Sequence, residues 1–440
     1  MTNLPRKLGL FSAVAVLTGT TIGSGIFRSP AGVAEKVPDP KFFLAVWIVG
    51  GLCVLAGALT YAELAAAFPH TGGLFVYLRE AFGRLPAFLF GWANLTIIRA
   101  AAAGAIATVF AEYMLRMFGI SDVAAVHYVA AMAILLLAGF NSAGIKFAAG
   151  VQNVTASMKY FALVILVVAS FLSGGNAAFP AQAVPVPSSG PASIGIFGLA
   201  LISVLWVYDG WADVTFIGGE IRRPERYLPL SLMIGTFAVI AIYLAANSAY
   251  IHILGMEEIA KSKLVAADVA QRLVGRIGVT VVSVTVMIST FGTLNGSLLT
   301  GSRIFFAMAD EGLFFKRIAT VHPRFNSPYV AIWLTAGLGA VFVLMRNFEQ
   351  LADAFVLAIW PFYAAGTAAV YTLRWKRPDL VRPYRVWAYP ITPAIFLAGA
   401  MFLLGNALIT DFANVWFVFA ILLAGIPAFW IWQSIMRSSS

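Results

Sequence analysis

Apolar residues along this chain do not alternate with polar ones at the period of a half-buried strand. They run in long blocks, and nearly all charges are gathered in the short segments between them. A bilayer core about 30 Å thick is crossed by roughly 20 apolar residues in helical conformation, and the blocks divide into about twelve such spans. They lie near 8–35, 42–68, 86–118, 123–141, 151–173, 192–219, 229–254, 279–309, 327–346, 350–374, 390–410 and 414–436. Lipid offers no hydrogen-bond partner to a backbone, so the pattern predicts an all-α membrane protein.

Two spans interrupt their own pattern. The first carries T-G-T-T-I-G-S-G-I-F, Thr18 to Phe27, with Gly23, Ser24 and Gly25 near mid-span. An unwound backbone there is tolerable only where it faces protein, a ligand or water. The sixth carries Y-D-G-W, placing Asp209 and Gly210 where an uninterrupted span would be most apolar. Both breaks fall at about the same depth from the start of their span, and four more spans follow each. Matched broken helices of this kind point to an inverted-repeat transporter with its site at the bilayer midplane. Small residues used as helix-packing notches would explain the glycines, but neither Asp209 nor the matched depths.

A broken helix creates two ends. Amides point out of the half beginning near Ile26, carbonyls are freed where the other half finishes near Thr21, and Ile22 lies between. The first end attracts a carboxylate and the second an ammonium. Two ionisable residues also fall within spans. Lys159, in span 5, follows the polar run Gln152, Asn153, Thr155 and Ser157, and is read as functional, against a snorkelling or structural role. Arg99, in span 3, is read as structural, bonding helix-end carbonyls. Span 8 has a polar face of Ser289, Thr290, Thr293, Asn295 and Ser297.

Hydrophobic residues make up 61% of the 440 and charged residues 11%, a balance foreign to soluble domains. The net charge of +10 is dispersed over alternate turns, among them Arg222, Arg223 and Arg226, and Arg374, Lys376, Arg377, Arg382 and Arg385. Such an excess marks cytoplasmic loops, predicts both termini in the cytoplasm, and needs no nucleic acid to explain it. Arg6 and Lys7 before an apolar run have the form of a secretory leader, but its removal would discard the break in span 1. The single Cys53 allows no disulfide framework, and the four histidines lie too far apart in sequence for a metal site. Neither a phosphate-binding loop motif nor H-E-x-x-H occurs, and no cofactor is expected.

With these residues laid out, the chain resembles the amino acid-polyamine-organocation (APC) superfamily, and within it bacterial relatives of the L-type amino acid transporters. The resemblance is carried by G-T-T-I-G-S-G-I-F in span 1, Y-A-E-L-A-A-A-F-P-H-T-G-G after span 2 and F-A-E-Y in span 3. It continues through Y-D-G-W and G-E-I-R-R-P-E-R-Y-L-P in span 6, S-T-F-G-T-L-N-G-S and R-I-F-F-A-M-A-D-E-G in span 8, and R-P-Y-R-V-W-A-Y-P before span 11. It implies one transporter domain over 1–440 with a five-plus-five inverted-repeat (LeuT-like) fold: repeats at 8–173 and 192–374, and two additional helices at 390–436. The substrate carboxylate would meet the amides of Gly23, Ser24 and Gly25, and its ammonium the carbonyls near Thr21, Trp206 and Asp209. Trp206 matches an aromatic gate. Lys159 matches a family lysine whose ammonium stands where sodium-coupled relatives hold a cation, which makes transport sodium-independent. Ser289 would share in holding that ammonium. Animal L-type members carry an extracellular cysteine between spans 3 and 4 that bonds a companion glycoprotein; none occurs here, so no disulfide-linked subunit is expected.

The expected function is secondary transport of α-amino acids, neutral ones favoured, across the inner (plasma) membrane by alternating access, as exchanger or proton symporter. Cationic amino acids or polyamines are the alternative, suggested by Asp209, although Asp209 is preferred as a cap on the resumed half-helix. A sensor without net transport is the remote alternative, disfavoured by the short tails. An intramembrane enzyme would need more than Asp209 and Asp213, and a channel would need a filter segment or charged rings.

Overall fold

The computed structural model describes residues 6, 8–70, 72–143, 145–174, 191–310, 312–315, 320, 322 and 329–438. The polar run at 152–157 has its side chains outside the described set, and the junction between the two expected repeats falls within the omitted segment 175–190. Fifteen α-helices follow one another: α1 (Leu10–Thr21), α2 (Gly25–Lys36), α3 (Pro40–Ala67), α4 (Leu74–Phe82), α5 (Arg84–Ala93), α6 (Arg99–Met117), α7 (Val123–Ala143) and α8 (Ile145–Leu172). After the omitted segment come α9 (Pro191–Tyr208), α10 (Pro224–Lys261), α11 (Val265–Asp310), α12 (Tyr329–Met345), α13 (Phe348–Lys376), α14 (Ile391–Thr410) and α15 (Phe412–Ser438). Among the described residues there is no strand, only an isolated parallel bridge between Leu8 and Ile221.

Nine helical runs among the described residues are long and apolar enough to cross a membrane, ten when α1 and α2, bent by 44° at their break, are taken as one span. Met158–Leu172 and Tyr329–Met345 are shorter apolar helices. The protein is therefore a multi-pass, all-helical membrane protein. Long helices are interrupted: α10 breaks at Gly255 and α11 at Val274 and Gly275, so that short helices lie between two spans. A π-helical turn, Asn94–Ile98, joins α5 to α6 immediately before Arg99.

α1, α2, α3, α9 and α10 pack on one another, and α6, α7, α8, α11 and α12 form a second group. Aromatic rings fill the first group on either side of the span 6 break. Trp47 meets Tyr208 and Tyr243 at centroid distances of 6.1 and 6.0 Å, and Trp211 meets Tyr61 and Tyr363 at 4.9 and 5.2 Å.

One charge is buried far from the breaks. Glu63 on α3, 2% exposed, accepts from Arg374 of α13 at 2.9 and 2.6 Å and from the Val386 amide at 2.8 Å, with Arg382 at 3.4 Å. It ties the ends of two spans to the segment leading into α14. Removing one partner of a buried pair leaves the others desolvated, at a cost of about 3–5 kcal/mol. Glu63→Ala should therefore lower the unfolding temperature in detergent clearly, and Glu63→Gln less; an unchanged melting curve for the alanine variant would show that these groups are solvated.

Candidate functional site

α1 ends and α2 begins in mid-bundle because Ile22, Gly23 and Ser24 leave the helix. Ile22 still donates to the Thr18 carbonyl at 2.9 Å, and the Gly23 amide turns back on the Thr21 carbonyl at 2.8 Å. Of the three amides expected at the carboxylate end, that of Gly23 is thus already engaged. The Ser24 amide has no backbone partner among the described residues. Those of Gly25 and Ile26 open the first turn of α2, where an α-helix supplies no acceptor. The anion-attracting end is built from Ser24, Gly25 and Ile26.

The carbonyl end is held by other helices. Tyr243 of α10 donates its hydroxyl to the Thr21 carbonyl at 2.7 Å and the Val207 carbonyl at 3.0 Å, bridging both breaks with one group. Thr20 reaches the Gly210 carbonyl at 3.1 Å. Lys159, buried on α8, donates to the Gly19 carbonyl, so its ammonium sits at the C-terminal end of α1, where a helix favours a cation. Ser289 is buried on α11; among the described residues its hydroxyl has no hydrogen-bond partner, and no bond joins it to Lys159.

The two breaks touch. A Cβ at Gly25 would stand 2.9 Å from Val207 Cγ2 and 3.1 Å from its Cα, and one at Gly210 would stand 2.9 Å from the backbone of Thr20 and Thr21. Gly210 also has φ +102°, a conformation that side chains resist. Between them lies a cavity of about 640 Å³, its open mouth included. Its walls include Thr21, Gly23, Ser24, Gly25, Trp206, Asp209 and Gly210. Ile22, Ile26, Lys159 and Ser289 are not on the wall; they lie behind it. Trp206 packs edge-on against Phe355 at 5.0 Å and Phe348 at 6.2 Å, forming an aromatic cover.

Sequence reasoning overlooked part of the wall. Arg99 is on it, with Asp209 and Asp213, so that two carboxylates and one guanidinium face the same space. Its intramembrane charge was the available signal, and a π-helical turn, of a kind frequent at functional sites, immediately precedes it. Thr293 and Ser297 come from the polar face of span 8, whereas Ala102, Ile106 and Phe355 carried no signal. Asp209 does not cap the resumed helix. That segment, Asp213–Glu220, is a 3-10 helix preceded by Ala212 with no side-chain cap, and Asp209 instead accepts from the Tyr363 hydroxyl at 2.8 Å.

The contacts separate the glycines. At Gly23 the nearest atom to an added Cβ is Thr293 Cγ2 at 3.6 Å, ordinary packing. Gly25→Ala and Gly210→Ala should therefore weaken amino acid binding by about tenfold or more, given the roughly 1–3 kcal/mol of overpacking, while Gly23→Ala has the smaller effect. Titration of purified variants with labelled amino acids checks the order, and equal effects at the three positions would refute the close approach of the breaks.

A family model described as amino acid permease matches residues 8–432. The chain is 34% identical over 434 residues to the serine/threonine exchanger SteT of Bacillus subtilis (strain 168), covering 97% of each. It is 31% identical to the human cystine/glutamate transporter, covering 97% of this chain and 85% of that protein. To the human large neutral amino acids transporter small subunit 2 it is 30% identical over 98% of this chain and 81% of that one. These are transporters, not enzymes, and on this evidence the chain belongs to the amino acid permease family of the APC superfamily and is an amino acid transporter.

Proposed function

We propose that this protein is a sodium-independent secondary transporter of α-amino acids, neutral ones favoured, working by alternating access as an exchanger or proton symporter. The observation that carries the reading is the cavity between two touching helix breaks. Unpartnered amides at Ser24 and Gly25 line one side of it, carbonyls and carboxylates the other. An α-amino acid carries both complementary charges on adjacent atoms. The ammonium finds Asp209 and the carbonyls around Thr20 and Trp206 rather than that of Thr21, which already serves Tyr243 and Gly23. Lys159 places its amino group against the end of α1, where a bound sodium would otherwise be needed.

The spans counted above, with the bent pair and the two shorter apolar helices, support twelve crossings arranged as repeats at 8–173 and 192–374 plus two helices at 390–436. The basic turns support cytoplasmic termini and insertion in the inner (plasma) membrane. The sole cysteine, buried Cys53, supports a chain without a disulfide-linked subunit. The relative named as an exchanger supports exchange.

A second reading, cationic amino acids or polyamines, is favoured by one observation: Asp209 and Asp213 both face the cavity, opposed there by Arg99 alone among wall residues.

Uptake of a panel of labelled amino acids into proteoliposomes tests these points. Replacing sodium by choline should leave uptake unchanged. A requirement for internal substrate marks exchange, and stimulation by an inward proton gradient marks symport. Competition by excess lysine or putrescine at least as strong as by neutral amino acids would favour the second reading. Lys159→Ala should lower transport about tenfold or more while remaining folded, because a hydrogen bond from a charged group contributes about 1.5–3 kcal/mol. Sodium dependence of the wild type, or normal transport by that variant, would overturn the role of Lys159.

A further inference from the structure

The stretch that leads from the end of α13 into α14 is strongly basic. Arg374, Lys376, Arg377, Arg382 and Arg385 stand there against a single acid, Asp379. Three of the five are already employed. Arg374 is bonded to Glu63 and lies 3.8 Å over the ring of Tyr389, and Arg377 meets Glu80 at 2.8 Å. Arg382 donates to the carbonyls of Leu373 and Arg377 at 3.0 Å, of Leu380 at 2.8 Å and of Pro378 at 3.2 Å. Arg382 thereby satisfies the helix end that a lysine in the last turn commonly serves. Lys376 and Arg385 are left exposed and, among the described residues, without a carboxylate partner. They flank the point where Arg374, Arg382 and the Val386 amide converge on Glu63.

The same stretch turns large apolar side chains outward. Trp375 is 81% exposed, Val381 77% and Trp387 63%, and Tyr389 and Ile391 are exposed as well. The Tyr389 ring packs at 5.3 Å on that of Tyr371, one turn before Trp375 on α13, and the Tyr371 hydroxyl donates to the Pro390 carbonyl at 2.6 Å. Aromatic groups from the end of α13 and the approach to α14 are thus brought together. Both helices are membrane spans, so the segment joining them lies where spans leave the hydrocarbon, at the depth of the lipid headgroups. Tryptophan and tyrosine suit that depth, with an apolar ring toward the acyl chains and a polar edge toward water.

We infer that segment 375–391 is a binding site for an anionic phospholipid, whose phosphate is met by Lys376 and Arg385 while Trp375 and Trp387 lie against its glycerol and upper acyl chain. Neither half of the pattern suffices alone. A site for a soluble anion has no use for the outward tryptophans, and a surface that only contacts acyl chains has no use for two bases lacking carboxylates. Because those bases flank the Glu63 junction, a lipid held there also braces the adjoining ends of α3 and α13. The inference does not depend on what the cavity carries, and its test reads lipid binding.

Dioctanoylphosphatidylglycerol and its phosphatidylcholine counterpart are titrated into the full-length protein purified in a neutral detergent. The readout is the melting midpoint, which rises by mass action with any ligand that binds the folded state alone. Phosphatidylglycerol should raise the wild-type midpoint at lower concentration than phosphatidylcholine. Lys376→Gln and Arg385→Gln should each weaken the apparent affinity for the anionic lipid about fivefold, and together about thirtyfold, with that for phosphatidylcholine unchanged. Trp387→Ala should weaken both lipids alike. Arg222→Gln combined with Arg226→Gln removes the same charge from another exposed turn and should alter neither. Melting curves without lipid show that each variant folds, as expected for exposed positions. No preference of the wild type for the anionic lipid, or an equal loss in the Arg222 and Arg226 double variant, would overturn the site and leave a general basic surface. Stabilisation by glycerol phosphate at the same concentrations as by the lipid would also overturn it, leaving a site for soluble anions.

Discussion

Everything around the site follows from one constraint: backbone polar groups freed at mid-membrane must find partners, because lipid supplies none. Where α1 stops, the Gly19 carbonyl is met by Lys159 and the Thr21 carbonyl by Tyr243 and by the Gly23 amide. Where α9 stops, the Val207 carbonyl takes the same tyrosine, and Thr20 reaches Gly210. Most of the carbonyl end is thereby satisfied by the protein itself. The amide end at Ser24 and Gly25 is not, and that asymmetry is what makes it the place where an anionic group gains most.

The same arrangement couples the two breaks mechanically. Gly25 rides on Val207, and Gly210 on the backbone of Thr20 and Thr21, at separations that leave no room for a methyl group. Tyr243 spans both. Neither half-helix can shift by much without dragging the other, so a substrate that contacts one break acts on both. Close packing makes such junctions switch between discrete arrangements and resist gradual deformation.

Much of this was legible in the sequence because its causes are local. A block of apolar residues can only be a span, and glycine, serine or aspartate at its centre can only be an interruption with a purpose. That reasoning located both breaks and named Trp206 and Asp209, which line the cavity, and Lys159, which lies behind it. It erred where partners come from distant helices. Asp209 beside a resuming helix reads as a cap, yet Tyr363 of α13 claims its carboxylate. Ser289 beside a predicted ammonium reads as a ligand, yet Lys159 turns to Gly19. Arg99 reads as structural because nothing nearby in sequence shows that it lies on the cavity wall. Tyr243 is unremarkable within an apolar span until the fold brings two carbonyls to its hydroxyl.

Recognition by helix-end backbone also explains why the substrate's side chain is the hardest feature to read. On the reading proposed above, amides and carbonyls would engage the carboxylate and ammonium that all α-amino acids share, so the breaks would select the class and not the member. Discrimination falls to the rest of the wall, where a methylene more or less is worth only about 1–3 kcal/mol in an apolar pocket, and a lost polar partner considerably more. Here that wall mixes apolar Ala102, Ile106 and Phe355 with the hydroxyls of Thr293 and Ser297. It also carries Arg99 facing Asp209 and Asp213. On the same reading, the apolar and hydroxyl positions would meet the substrate's side chain. The charged trio is self-compensating only in part, with two acids to one base, so its balance decides whether a cationic side chain is welcomed or merely tolerated. Relatives similar to this chain over most of its length can thus be named for serine and threonine, for cystine and glutamate, and for large neutral amino acids.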